Sequence, residues 1–212
     1  MNLAFDTETG QRAFAMTNVA GTTNVRTSLR DGEGEAFRDG DRAFYGPRNP
    51  VRLRAMAVEI PEVLGHPNRL PFKGCLTLVD EASDKAPSGA RGHRVVLTRA
   101  AAEAALPSLL GMAVDYKAGW DGHDARQKCG IITSATLDDK RLMVTGFLFA
   151  RDFPEMEPEM KRDMGMSYEL ADAHVKDMQA SVWELTRATF TGAAILLREK
   201  AAYRGTSFSI ER

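Results

Sequence analysis

Cysteine is nearly missing from this chain of 212 residues, where Cys75 and Cys129 are the only two. Two thiols at this length make neither a disulfide framework nor a zinc knuckle, and they fit a reducing interior. An excess of charge of one sign is missing too: 28 Lys and Arg stand against 29 Asp and Glu, for a net charge of -1. Nothing global therefore draws the chain to nucleic acid or to an acidic membrane. No apolar run approaches the roughly 20 residues of a membrane helix; the longest, near Ala193 to Leu197 and Leu142 to Ala150, are short and strand-like. The opening Met1-Asn2-Leu3-Ala4-Phe5-Asp6 lacks the basic start and apolar core of a signal peptide. The expectation is a soluble, intracellular protein with no nucleic-acid or membrane partner. There is no Gly-rich phosphate loop, dinucleotide fingerprint or His/Cys metal spacing, so neither a cofactor nor a metal is expected.

What is present is apolar mass, 43% hydrophobic residues with 27% charged, enough for one sizeable core or two small ones. It is unevenly spread. From Thr7 to Pro50 the chain is rich in Gly, Thr, Arg and Asp and poor in large aliphatic clusters. Residues 1–50 therefore read as a flexible N-terminal arm with short hairpins, or as a partner-binding or removable segment. Residues 51–212 read as the folded domain.

Within that domain, Val51 to Val58 alternates apolar and polar residues as a half-buried strand does, and Gly74 to Val79 reads as another strand. Lys85 to Gly92 is a loop by composition. Thr98 is a candidate N-cap for an alanine-rich helix over Arg99 to Leu106, ended or kinked by Pro107. Gly130 to Leu137 and Leu142 to Phe149, around the polar Asp138-Asp139-Lys140, predict a β-hairpin. Asp152 suits the cap of a helix running through Arg162 and stopped by Gly165. A strand then starts at Met166 to Leu170, and Val182 to Phe190 is its return after a polar stretch from Asp172 to Ser181. Ala193 to Leu197 continues as strand or short helix, and Arg198 to Arg212 is a mixed tail. Met156, Met160, Met164 and Met166 are spaced for packing, and the two cysteines read as small buried residues.

Few residues offer chemistry. His66 precedes a proline without an obvious partner, and His93 lies between Arg91 and Arg94, which disfavour its protonated form. His123 sits in Trp120-Asp121-Gly122-His123-Asp124, with acids on both sides, a setting that suits a general base. Ser167 follows a glycine-marked helix stop in Gly165-Met166-Ser167-Tyr168-Glu169 and enters a strand. A serine hydroxyl needs a base within hydrogen-bond reach to act as a nucleophile. The context is not the Gly-x-Ser-x-Gly elbow, since position 169 is Glu.

The order of these parts resembles a family. His123 upstream of Gly130-Ile131-Ile132, the strand Leu142-Met143-Val144-Thr145-Gly146, Ser167 after Gly165-Met166, and the late Phe190-Thr191-Gly192-Ala193-Ala194-Ile195 resemble the prohead, or capsid maturation, proteases of tailed bacteriophages. These share a fold and a serine-histidine mechanism with the herpesvirus maturational proteases. The resemblance spans roughly Val51 to Phe208. It implies an α+β fold, a mainly antiparallel curved sheet or small β-barrel surrounded by a few helices. It also implies a serine endopeptidase with Ser167 as nucleophile and His123 as base. Many phage relatives carry an acid late on the strand after the serine, but the aligned position here is near Arg187. Glu184 is the third member chosen, with Asp177, His174, Asp121 and Asp124 as alternatives, and backbone amides or Arg187 as oxyanion donors.

The substrates implied are the scaffold and major capsid proteins and the chain's own termini, cleaved in the host cytoplasm inside the assembling procapsid. Herpesvirus relatives act as dimers, so self-association or a homodimer is implied as well. The rival reading, favoured by the departure at Arg187, is a catalytically inactive protease-fold scaffold or adaptor of the procapsid.

Overall fold

A computed structural model describes residues 54–61 and 63–211. The arm expected over residues 1–50 lies outside the described residues. The chain is a mixed α+β protein, mostly sheet, with one curled half-barrel sheet and few helices.

Among the described residues, nine strands build the sheet: β1 Arg54–Ala57, β2 Leu70–Leu78, β3 Arg94–Leu97, β4 Ala113–Asp115, β5 Lys128–Asp138, β6 Arg141–Leu148, β7 Met164–Val175, β8 Val182–Leu197 and β9 Ser207–Ile210. Their order is β3-β8-β4-β5-β6-β2-β9, with β1 added to β5 and β7 added to β8. Most pairings are antiparallel; β3 and β4 run parallel to β8.

The expected hairpin is β5 and β6, joined by a two-residue turn between Asp138 and Arg141. Asp139 takes the left-handed conformation there (φ 46°), as the tight hairpin turns demand. Buried and half-buried residues alternate along β6, so one face meets the core. The alanine-rich helix is α1, Arg99–Ala105, and Thr98 caps it by accepting the Ala101 N–H at 3.2 Å. Pro107 starts a 3-10 turn over Leu106–Leu109.

Two expectations fail in extent. The helix expected from Asp152 to Arg162 is one turn, α2 Met156–Glu159. Asp152 does not cap it; its carboxylate accepts from Asn68 Nδ2 at 2.7 Å. Pro154 and Pro158 lack the N–H that a longer helix needs, which confines regular helix to a single turn. Conversely, β7 and β8 outrun the strands expected: β8 runs 16 residues through Thr191 and Gly192, and β7 runs into the supposedly polar turn. Register shifts after Glu169, Ala171 and His174 bend this pair.

The concave side holds a core of Phe72, Leu76, Leu97, Leu109, Ile132, Leu137, Leu142 and Leu148, all fully buried. Met156, Met164 and Met166 join it, as their spacing suggested. Met166 fills the space over Gly74, where a Cβ would collide with its sulfur, and so seats the start of β7 against β2. Thus the sheet curls until β7 approaches β2, which brings Ser167 to the rim of the half-barrel.

Candidate active site

Three neighbouring strands place two polar residues in one row. Asp115 of β4 pairs with Ala194 of β8, and Ala194 pairs on its other side with Ser167 of β7. Directly opposed residues project from the same sheet face. Ala194 is completely buried yet lies outside the hydrophobic core cluster that contains its neighbours Ala193 and Ile195. It therefore belongs to the opposite face, and its single methyl group leaves room above it for a larger group.

That group is His123, carried by the loop between β4 and β5. The loop turns at Gly119 and Trp120 (φ 91° and 59°), and the Trp120 carbonyl accepts the Leu197 N–H at 2.8 Å. Trp120 stacks on Tyr116 with ring centroids 4.7 Å apart, Phe153 meets Tyr116 edge-on at 5.9 Å, and the Tyr116 hydroxyl donates to Glu155. An aromatic cluster thus fixes the stem of the loop against β8 and the segment leading into α2.

The structure brings the two leading candidates together: His123 Nε2 lies 3.1 Å from Ser167 Oγ. On the far side of the ring, Nδ1 lies 3.4 Å from Asp115 Oδ1 and 3.8 Å from Glu169 Oε1. Nδ1 and Asp115 Oδ1 are both buried and neither makes a hydrogen bond among the described residues, so their 3.4 Å approach is a close ion-pair contact that leaves each free to pair with the other. The second Asp115 oxygen accepts from Lys128 Nζ at 2.8 Å. Asp115 is wholly shielded from solvent and His123 is 19% exposed. Burial alone pushes the Asp115 carboxyl up, but its interactions with His123 and Lys128 outweigh that and hold it below the ordinary carboxylate range. The result is an ionised acid behind an imidazole that faces a serine hydroxyl.

Glu169 reaches the ring by a second small-residue gap. It pairs with Gly192, and a Cβ on Gly192 would lie 2.5 Å from Glu169 Oε2. Gly192 and Ala194 together form the shelf on which the acid and the imidazole lie.

The third member expected from the sequence is not at this site. Glu184 is about 30 Å of extended strand from Ala194, and its carboxylate pairs with Lys176 at 3.2 Å. The alternatives are also engaged elsewhere: Asp121 with Lys117 at 3.1 Å, Asp124 with Arg126 at 3.1 Å, and Asp177 with the Gln179 N–H at 2.8 Å. His174 and Arg187 oppose one another on the exposed stretch of the β7–β8 pair, so Arg187 is no donor to an oxyanion at Ser167. Asp115 went unnoticed because β4 has three residues and too little pattern to announce a strand. The available signal was a lone acid in the apolar Met112-Ala113-Val114-Asp115.

His93 stacks on Trp183, and His66 Nδ1 accepts the Asn68 N–H. Burial pushes the Cys75 thiol up to about 11 and the Cys129 thiol up to about 12, which disfavours the thiolate in both. Among the described residues, no group of three or more His, Cys, Asp or Glu side chains is placed to hold a metal ion, and no helix is long and apolar enough to cross a membrane.

Ser167 and His123 open into a cleft of about 990 Å³ between the 85–91 loop and the β7–β8 pair. No family model matches the chain, and no curated protein or solved structure matches it.

Proposed function

We propose that this chain is a serine endopeptidase working through Ser167, His123 and Asp115. The observation that carries the reading is the line Ser167 Oγ, His123 Nε2, His123 Nδ1 and Asp115 Oδ1, with separations of 3.1 Å and 3.4 Å. In this scheme Ser167 Oγ attacks the scissile carbonyl carbon while its proton passes to His123 Nε2. Asp115 holds the Nδ1–H tautomer and stabilises the imidazolium. Collapse of the tetrahedral intermediate breaks the C–N bond, and His123 returns the proton to the leaving amine. Water then hydrolyses the acyl-enzyme with His123 as base. The open cleft, with strand β7 running out from Ser167, suits an extended polypeptide.

Within that class, the resemblance to prohead proteases supports a role in phage head maturation. The chain would act in the procapsid of an infected cell on scaffold and capsid proteins, and on its own termini, on a herpesvirus protease-like fold. Asp115 supplies the acid that the departure at Arg187 left unplaced, which weakens the reading of a catalytically dead scaffold.

The test is intact-mass and gel analysis of the chain and its Ser167→Ala variant, each incubated with scaffold and major capsid polypeptides under assembly conditions. Fragments that depend on Ser167 are expected. Identical, uncut patterns would overturn the endopeptidase role and favour the structural one.

A further inference from the structure

The cleft does not end at the catalytic residues. Its lining passes the outer edge of β7 to the core-facing side of the β7–β8 pair and becomes apolar, with the half-buried Leu170 and Val175 of β7, the exposed Met178 of the turn, and the buried core residues Trp183 and Leu185 of β8 at its floor. Met178 is 49% exposed, a large apolar side chain left in solvent beside a cleft. Trp183, by contrast, is rigidly held. Its indole N–H donates to the Met178 carbonyl at 3.3 Å, and one ring face stacks on His93 with centroids 4.5 Å apart and planes 12° from parallel. A fixed indole beside a flexible, half-exposed methionine makes an apolar wall that adapts to an incoming side chain.

The position of this wall identifies its occupant. Among the described residues β7 pairs with β8 alone, so past Tyr168 its outer edge has no strand partner. From Ser167 to Val175 the strand covers about 26 Å, the reach of roughly eight residues of extended chain. A strand edge that starts at a nucleophile, with an apolar lining from Leu170 onward on the opposite face, fits a polypeptide, whose side chains alternate between the two faces, better than any compact molecule.

We infer that Leu170, Val175, Met178, Trp183 and Leu185 form a subsite for one large apolar side chain of an extended polypeptide, displaced along β7 from the bond facing Ser167. The inference rests on the peptidase reading and adds its substrate chemistry.

Binding to the Ser167→Ala chain tests it without any need for turnover. The probes are octapeptides in which a single Phe is moved stepwise along an otherwise Ala/Ser sequence, each paired with its Asp counterpart. Calorimetry reports binding, and tryptophan fluorescence in a Trp120→Phe background, where Trp183 is the remaining tryptophan, reports it at the subsite. One Phe position is expected to bind at least tenfold tighter than its Asp counterpart, and Met178→Asp in the same background is expected to erase that preference. Met178 is half exposed, so an unchanged melting temperature is expected for that variant. Equal binding of the Phe and Asp peptides, no binding of either, or a preference that survives Met178→Asp would each overturn the subsite. Fluorophosphonate labelling of the native chain judges the nucleophile separately, so the two failures are distinguishable.

Discussion

Ser167 and Asp115 stand on either side of Ala194 in a single row across three strands, and the imidazole of His123 bridges them over the alanine methyl. The acid and the nucleophile are thus held by rigid sheet, while only the histidine comes from a loop. Preorganisation of this kind puts positional accuracy where proton transfer needs it.

Ala194→Leu fills the space that the imidazole occupies. Because Ala194 is fully buried, overpacking is expected to cost about 1–3 kcal/mol of stability. Displacement of His123 by about an ångström is expected to lower kcat/KM by about 100-fold. Denaturant melts and turnover of an activated ester, measured beside Ala194→Gly, check both. Glycine leaves the space open and is expected to retain most activity.

Asp115→Asn keeps the shape of the row and removes its charge. The expected loss in kcat is on the order of 10³–10⁴-fold, from the wrong tautomer and an unsupported imidazolium. Glu169→Gln is expected to cost less than about tenfold, because Glu169 is 3.8 Å from Nδ1 and half exposed, where solvent weakens the interaction. Steady-state kinetics of the two single variants and the double variant measure how far Glu169 substitutes for Asp115.

Acid stability follows from the same carboxylate. The folded pKa of Asp115 is depressed below its ordinary value of 3.8, so its ionisation favours the folded state above that value. That contribution is lost as pH falls through the folded pKa. Native protein is therefore expected to lose stability below about pH 4, with a shallower acid limb in Asp115→Asn. Urea melts from pH 2 to pH 7 read this out.

Gly192→Ala is expected to displace the Glu169 side chain rather than the backbone, since the added Cβ meets the carboxylate end of that flexible group. Its kinetic effect is expected to match that of Glu169→Gln and to vanish in that background. A drop of more than about tenfold in the double variant would place the cause elsewhere.

The thiols are expected to be bystanders. Both are buried and poorly ionised, so iodoacetamide should leave activity intact and Cys129→Ala should label at Ser167 like the native chain.

The hairpin β5–β6 and the capped helix α1 were legible in the sequence because each has a local signature, alternation in one and a capping threonine in the other, whereas Ser167 and His123 stood out only through the order of parts that resembles a family. Asp115 was not legible. Its role depends on a pairing between β4 and β8, residues nearly eighty positions apart, which no local pattern records. Glu184 illustrates the converse: it sits on the right strand, but strand length decides distance, and β8 proved long enough to carry it away from the site. Gly192 and Ala194 were visible as a small-residue run, yet their purpose emerges only when the side chains lying over them are known.

The most direct test of the central claim is covalent labelling of the native chain with a fluorophosphonate, followed by intact-mass and peptide mapping, with Ser167→Ala and His123→Ala alongside. The account expects one adduct per chain, mapped to Ser167, absent in Ser167→Ala and formed far more slowly in His123→Ala. An unlabelled native chain, or an adduct on another residue, would contradict it.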